Sequence, residues 1–404
     1  MKAMGAIPAD YGFDAAERLL IAGEDAATLI ARAGDTPLFA YDMQIVRTRI
    51  AAFRAAFPGI ALHYAIKANP HADLLAAIAP LVDGLDVASA GEMHKALAVM
   101  PAERISFAGP GKRDDELQAA IAAGVTLNLE SPTEGARALA QGRRLSVRPQ
   151  LAIRVNPDFE LKGSGMRMGG RASPFGMEPD EVAPLVARID AGGGDWRGLH
   201  IFAGSQALDP AALIETQAAT LALSAQLAAR IGRAPPLLNL GGGFGIPYFA
   251  NEQPVDVAAV GAALTPGSRA GDAFAIELGR WLVGEAGVYL TRVVDVKVSR
   301  GETFVITDGG LHHQLAASGN FGTVVRRNYP ILNASRAGDV IVANVVGALC
   351  TPLDRLGDQV AIAHPQVGDV IAVFMAGAYG ATASPAAFLG HPPALELVLN
   401  RDSH

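Results

Sequence analysis

The 404-residue sequence has a single cysteine, Cys350. One thiol excludes an intrachain disulfide framework and any multi-cysteine metal site, and it fits a reducing compartment. Charge is scarce as well: only 18% of residues are charged, the net charge is −7, and no Lys/Arg run occurs. With no basic field to attract phosphate backbones or anionic lipid, neither nucleic acid nor a membrane is an expected partner. Long apolar runs are also missing. Gly, Pro or a charge breaks each apolar segment well before the ~20 residues that span a bilayer, and the N-terminus has no charged start followed by an unbroken apolar stretch. The expectation is a cytoplasmic protein.

Half of the residues are apolar, and 45 glycines and 25 prolines indicate a globular chain rich in tight turns. The length suggests two or three folding units. From residue 60 to about 277, eight β-rich runs alternate with Ala/Leu-rich stretches of helical period. The runs are IALHYAIK (60–67), DGLDVAS (83–89), RISFAGP (104–110), VTLNLES (125–131), QLAIRVN (150–156), RGLHIFAGS (197–205), PLLNLGGG (236–243) and AFAIELG (273–279). Alternation at this pitch implies parallel pairing through helical crossovers, so an α/β fold with a (β/α)8 TIM barrel is expected. Several intervening segments, such as DELQAAIAAG, end in Gly, as helices often do.

After about residue 280 the pattern changes to β-branched runs separated by Gly/Asp turns: GVYLTRVVDVKV, TFVITDGG, DVIVANVVG, DVIAVFMAG and ALELVLN. These predict a C-terminal, mostly antiparallel β domain. The expected organisation is an N-terminal segment (1–34) packing on the β domain, a barrel over 35–279 and the β domain over 280–404. ELKGSGMRMGGRASPFGM (160–177) is too Gly-rich for regular structure. It follows the fifth barrel strand, on the side where barrel active sites lie, and is a candidate substrate loop.

Lys67 closes an apolar strand, which puts its amine at the C-terminal mouth of the barrel. A lysine partly desolvated there is the free amine that a carbonyl cofactor requires. Taken alone, it reads at least as well as a lysine snorkelling at a strand end. GGGFG (241–245) follows the seventh strand, where backbone N–H groups can approach a phosphate, and equally where tight geometry alone can demand glycine. Glu277 and Arg280, in ELGR, end the eighth strand. A carboxylate there can keep a pyridine nitrogen protonated and an arginine can pair with a phosphate or a carboxylate, but a structural ion pair is the alternative. Cys350, taken alone, reads as a small buried hydrophobe. His312 and His313 have no carboxylate or cysteine cluster at ligand spacing, so no metal site is expected.

Jointly, HYAIKANP, GLDVASAGE, GLHIFAGSQ, NLGGGFGIPYF, ELGR, GALCTPLD and MAGAYGATA resemble, in order and over nearly the whole chain, the fold-type III pyridoxal phosphate decarboxylases. That group contains diaminopimelate, ornithine and arginine decarboxylases. The resemblance implies pyridoxal phosphate as cofactor, Lys67 as its Schiff-base lysine, and Ser205, Gly241, Gly242, Gly243, Gly279, Arg280 and Tyr379 around its phosphate. Glu277 faces the pyridine nitrogen and Asp86 lies at the cofactor. Cys350 protonates the substrate carbon after CO2 leaves, from the partner subunit of a homodimer. Arg280, Thr351, Asp354 and Tyr379 are the implied substrate contacts. Alanine racemases share the architecture but place arginine at the ring nitrogen, so Glu277 favours decarboxylation.

Three departures bear on the substrate. Phe202 replaces a histidine that lies over the ring in diaminopimelate decarboxylases, which predicts an aromatic stacking face. Thr351 replaces a glutamate that grips a distal amine. LHHQLAASGN (311–320) replaces a stretch holding Arg and Tyr for the distal end of diaminopimelate. Burying an unpaired charged end costs several kcal/mol, so free diaminopimelate is disfavoured. The chain is instead similar to a subgroup acting on carrier-protein-bound aminoacyl groups or accompanying exosortase gene clusters. In that case Arg167, Arg171, Arg326 and Arg327 could meet an acidic carrier, although solvated arginines are the plainer reading. The competing readings are a free diamino-acid decarboxylase and a non-catalytic PLP-binding regulatory homologue.

Overall fold

Eight short parallel strands close on themselves: β1 (Ala61–Ala65), β2 (Gly84–Val87), β3 (Ile105–Phe107), β4 (Thr126–Leu129), β5 (Gln150–Val155), β6 (Asp195–Ile201), β7 (Leu238–Asn239) and β8 (Phe274–Leu278). Seven fall inside the runs expected from the sequence and β6 starts two residues before its run, and each pairs with its sequence neighbours, β8 returning to β1. The computed structural model describes residues 1–163, 165–167, 169–170, 172–264, 273–319 and 327–400. The barrel belongs to a unit formed by Arg49–Gly245 and Pro254–Gly279.

The crossover helices start where the local chemistry favours a start. Ser89 Oγ accepts the Glu92 N–H and Ser131 Oγ accepts the Glu134 N–H, both at 3.1 Å, capping Ala90–Leu97 and Pro132–Leu145. The helices Asp114–Ala123 and Pro210–Ile231 end at Gly124 and Gly232, as expected. The Gly-rich stretch after β5 is more ordered than its composition suggested. Met166–Arg167 pairs antiparallel with Gly204–Ser205. Arg171 lies outside the described residues.

The other unit comprises Met1–Thr48, Ile246–Gln253 and Arg280–His404. Its mixed sheet runs in the order Ile331–Asn333, Val370–Val373, Gly287–Ser299, Glu302–Thr307, Val340–Val346, Arg355–Ala363. Most pairs are antiparallel, and the five expected β runs supply strands. Three strands of this sheet were not anticipated. Ile331–Asn333 is only three residues long, and Arg355–Ala363 carries a Gly-Asp pair that breaks the β-branched pattern. Leu38–Asp42, buried at all five positions, pairs antiparallel with Gly287–Ser299 and parallel with Leu395–Leu399. That pairing carries this unit past the boundary expected at residue 35, to Thr48. The N-terminus is held in the same unit: the Lys2 N–H donates to Gln359 O at 2.9 Å and the Gly5 N–H to Asn328 O at 3.1 Å.

Among the described residues no helix is long and apolar enough to cross a membrane.

Candidate active site

The C-terminal ends of the barrel strands carry the chemistry, the end of this fold on which loop and strand residues converge. β1 stops at Ala65, and a single 3-10 turn, Ile66–Ala68, presents Lys67. Lys67 is exposed, so protein atoms alone do not desolvate it as the sequence suggested. Its Nζ lies 5.7 Å from the centroid of the Phe202 ring, which follows β6. Gly279 ends β8 beside this turn, and a Cβ there would sit 3.0 Å from Ala68 Cβ.

Glu277, on β8, is buried. Its Oε2 is 3.1 Å from His200 Nε2 and accepts from Asn239 Nδ2 at 3.5 Å. Burial pushes this carboxyl up. The neighbouring His200, through its charge and hydrogen bond, together with the Lys67 and Arg154 charges, outweighs burial and holds it at about 2. Asn239 Oδ1 in turn accepts the Gly241 N–H at 2.9 Å, which ties the carboxylate's support to the glycine turn. Asp86 on β2 is also buried and lies 3.4 Å from His63 Nδ1. Burial lowers the His63 pKa, but the Asp86 charge and hydrogen bond raise it further, so the net shift is upward.

Gly242 is required by packing: a Cβ there would overlap the Glu277 carbonyl oxygen. The tight-geometry reading of the triple glycine is therefore satisfied within the barrel, whatever its N–H groups bind. Ser205, in the two-stranded ribbon after β6, is half-buried.

In the other unit, Arg280 opens the turn Arg280–Val283. Its Nη1 donates to Tyr248 Oη at 2.6 Å, and its guanidinium carbon stands 4.6 Å from the Tyr379 ring centroid. Arg280 Nε is buried without a partner among the described residues. Tyr379 has φ 56°, a left-handed conformation that a bulky residue holds only under constraint from its surroundings.

Cys350 is exposed, not the buried hydrophobe of the plainer reading, and Thr351 beside it is half-buried. Asp354, expected at the substrate, anchors backbone. It is buried, and both carboxylate oxygens accept backbone N–H groups, Oδ1 from Leu311 at 2.6 Å and Oδ2 from Leu349 at 2.8 Å. It ties the Cys350 loop to the turn after Asp308, and a Cβ on Gly310 would collide with that carboxylate. Arg327, considered for a carrier contact, is engaged by Glu252 at 3.2 Å and stacks 3.6 Å from the Phe249 ring centroid. Arg326 and Asn320 lie outside the described residues.

Sequence reasoning missed His200, Asn239 and Tyr248. A signal for the first two exists: His200 and Asn239 are register partners on β6 and β7, and each is a buried polar residue inside an apolar strand run. Tyr248 carries no comparable signal, because it meets Arg280 through a loop.

Within the barrel unit, an exposed amine above an aromatic face and a buried anion held by an imidazole are groups that a phosphorylated pyridine aldehyde requires, and in the other unit the half-buried Arg280 keeps a donor with no partner among the described residues. The residues fit pyridoxal phosphate. Residues 43–291 match the family model described as pyridoxal-dependent decarboxylase, pyridoxal binding domain. The chain belongs to the pyridoxal-dependent decarboxylase family, and it is an amino-acid decarboxylase that uses pyridoxal phosphate.

Among its relatives, the L-glutamyl-[BtrI acyl-carrier protein] decarboxylase of Niallia circulans is 34% identical over 93% of this chain and 92% of that protein. The diaminopimelate decarboxylase of Aquifex aeolicus is 31% identical, over 87% and 84%. Among solved structures, Helicobacter pylori diaminopimelate decarboxylase complexed with L-lysine superimposes with a TM-score of 0.82. That pair is 26% identical and covers 93% of this chain and 94% of the other.

Proposed function

We propose that this enzyme removes the free α-carboxylate of an amino acid carried on an acyl carrier protein through its side-chain carboxyl, with a γ-linked glutamyl group as first candidate, and that it works as a cytoplasmic homodimer. The observation that carries the decarboxylase chemistry is the buried Glu277 held ionised by His200. The 34% identity to a carrier-linked glutamyl decarboxylase supports the substrate class. Two uncharged features support it further: Thr351 follows the cysteine, and Leu311–Gly319 contains no lysine or arginine.

Bound pyridoxal phosphate supplies an electron sink for the pair left behind by departing CO2. The chain's own residues do the rest. Lys67 presents its Nζ for cofactor attachment, and Phe202 offers an apolar face beside it. Glu277 keeps a fixed negative charge where a ring nitrogen must stay protonated, and His200 and Asn239 fix its orientation. Asp86, backed by His63, adds a second carboxylate among the strand ends. Ser205 and the N–H groups of Gly242, Gly243 and Gly279 would hold anionic oxygens beside Gly241, whose own N–H is taken by Asn239 Oδ1, and Arg280 with Tyr379 offers a further anion-binding group in its own unit. Cys350, exposed on a loop anchored through Asp354, donates the proton that replaces CO2 and reaches the partner subunit's site.

The substrate assignment predicts that L-glutamyl carrier protein releases CO2 with a kcat/KM at least about a hundredfold above free L-glutamate or meso-diaminopimelate, the equivalent of roughly 2.7 kcal/mol of added binding. Radiometric CO2 capture measures this, and faster turnover of free diaminopimelate overturns it. The dimer predicts complementation. Inactive Lys67→Ala and Cys350→Ala proteins, mixed and allowed to exchange subunits, should recover about a quarter of wild-type activity, because half the dimers then hold one intact site of two. No recovery, with exchange verified by mass spectrometry, rules out a cysteine supplied in trans.

A further inference from the structure

The turn after Asp308 holds buried polar atoms that have no partner among the described residues. His312 and Gln314 are both 0% exposed, yet neither ring nitrogen of His312 nor either amide atom of Gln314 has a partner among the described residues. Their neighbour makes the contrast plain. His313 is fully engaged, Nδ1 with Tyr289 Oη at 3.0 Å and Nε2 with Pro392 O at 2.9 Å. Native interiors rarely tolerate four unpaired buried atoms on two residues of one turn, since each carries an uncompensated desolvation cost.

The turn's position gives those atoms meaning. Asp354 ties it to the Cys350 loop through the Leu311 N–H. The Leu315 N–H donates to Ser384 Oγ at 3.0 Å, and Ser384 Oγ donates to Gly380 O at 2.7 Å, which ties it to the Tyr379 loop. Gln314 Oε1 itself lies where a Cβ on Gly380 would be. His312 and Gln314 thus sit between the loop bearing the proton donor and the loop stacked on Arg280.

We propose that His312 and Gln314 form a subsite for an uncharged, hydrogen-bonding part of the substrate, the secondary amides of a thioester arm. This rests on the carrier-delivered reading above and names the part of the substrate that is read. A secondary amide offers one donor and one acceptor, and a neutral imidazole and a carboxamide each offer both in return. Burial, with repulsion from the adjacent His313 and His391, lowers the His312 pKa to about 4, so the ring is neutral at physiological pH. Asp354, the carboxylate tied to this turn, already has both oxygens on backbone N–H groups, so a distal ammonium finds no free anion in it.

The test uses PLP-loaded enzyme and pantetheine alone, an amide arm with no amino acid, followed by saturation-transfer NMR. Wild type should bind it. His312→Phe and Gln314→Leu should each weaken binding about tenfold, and His312→Gln, which keeps a donor and an acceptor, should restore part of it. For CO2 release from the γ-thioester of L-glutamate with N-acetylcysteamine, which carries an amide and leaves the α-carboxylate free, the two apolar variants should raise KM about tenfold without changing kcat. The KM for the corresponding ethyl γ-thioester, which lacks the amide, should stay where it was. Because the variants remove unpaired polar atoms, the melting temperature of the enzyme without thioester should hold or rise, whereas a structural role would lower it.

The inference is overturned by undetectable pantetheine binding in wild type, by equal KM changes for both thioesters, or by variants that bind pantetheine as wild type does, the result expected if only structural water fills the site. If pantetheine binds through His312 and Gln314 but no glutamyl thioester releases CO2, the subsite stands and the glutamyl assignment falls.

Discussion

Glutamine in place of Glu277 is expected to lower kcat by about two to three orders of magnitude, the scale of removing one preorganised electrostatic group from a buried site, with KM changed far less. The substitution preserves shape and one acceptor oxygen for His200 and Asn239, so what is lost is the charge and the second acceptor. That charge lies in a buried setting, 3.1 Å from His200 and supported by Asn239, where no solvent can replace it. The cofactor should still attach through Lys67, so the visible spectrum survives while turnover fails. That pairing separates an electronic defect from failed assembly. His200→Asn should give an intermediate loss, because it disturbs the carboxylate's orientation while leaving its charge.

The pH dependence follows from the sign of the shift. A carboxyl lowered from its ordinary 4.5 to about 2 in the folded protein adds stability that is fully present above about 4.5 and is lost as pH falls toward 2. Between pH 5 and 9 Glu277 does not titrate, so no acid limb of the activity profile in that range belongs to it. A Glu277→Gln enzyme within tenfold of wild type would sink the assignment.

How much of this was legible in the sequence depended on the distance over which each contact acts. The barrel strands were readable because each is a short apolar run bounded by its own turn and helix, a local pattern. Lys67 and Glu277 were readable as polar residues interrupting or closing such runs. Leu38–Asp42 was not assigned to its sheet because its partners, Gly287–Ser299 and Leu395–Leu399, lie some 250 and 350 residues away, and strand propensity does not encode which sheet a strand joins. The surroundings of Asp354 were not readable for a related reason. A motif match gives a residue type and a place in a loop, whereas the two backbone N–H groups that occupy its carboxylate come from Leu311 and Leu349 and depend on the folded turn. His312 and His313 look alike in sequence, and only the fold shows that one is satisfied and the other is not.

Lys67→Ala should abolish covalent cofactor attachment and reduce turnover by about three orders of magnitude or more, the range seen when the residue forming a covalent link is removed. The other lysines of the barrel unit cannot easily substitute. Lys112 is buried, with Nζ donating to Gly109 O at 2.7 Å, Asn128 O at 2.8 Å and Glu134 Oε1 at 2.7 Å. Burial lowers its pKa even with Glu134 beside it, so a low pKa alone does not mark the reactive amine. Lys162 is paired with Glu215 at 2.7 Å, and Lys95 reaches Pro70 O at 3.5 Å. Lys67 stands on its own turn with an aromatic face near its amine and the Glu277 and Glu92 carboxylates within electrostatic reach. Because it is exposed, its truncation should leave the stability of the apoprotein within about 0.5 kcal/mol of wild type, which removes misfolding as an explanation. Borohydride reduction followed by peptide mass mapping gives the readout. Wild type should carry one reduced cofactor on the peptide containing residue 67 and the variant none, and a cofactor mass on Lys95, Lys112 or Lys162 of the wild-type enzyme defeats the assignment.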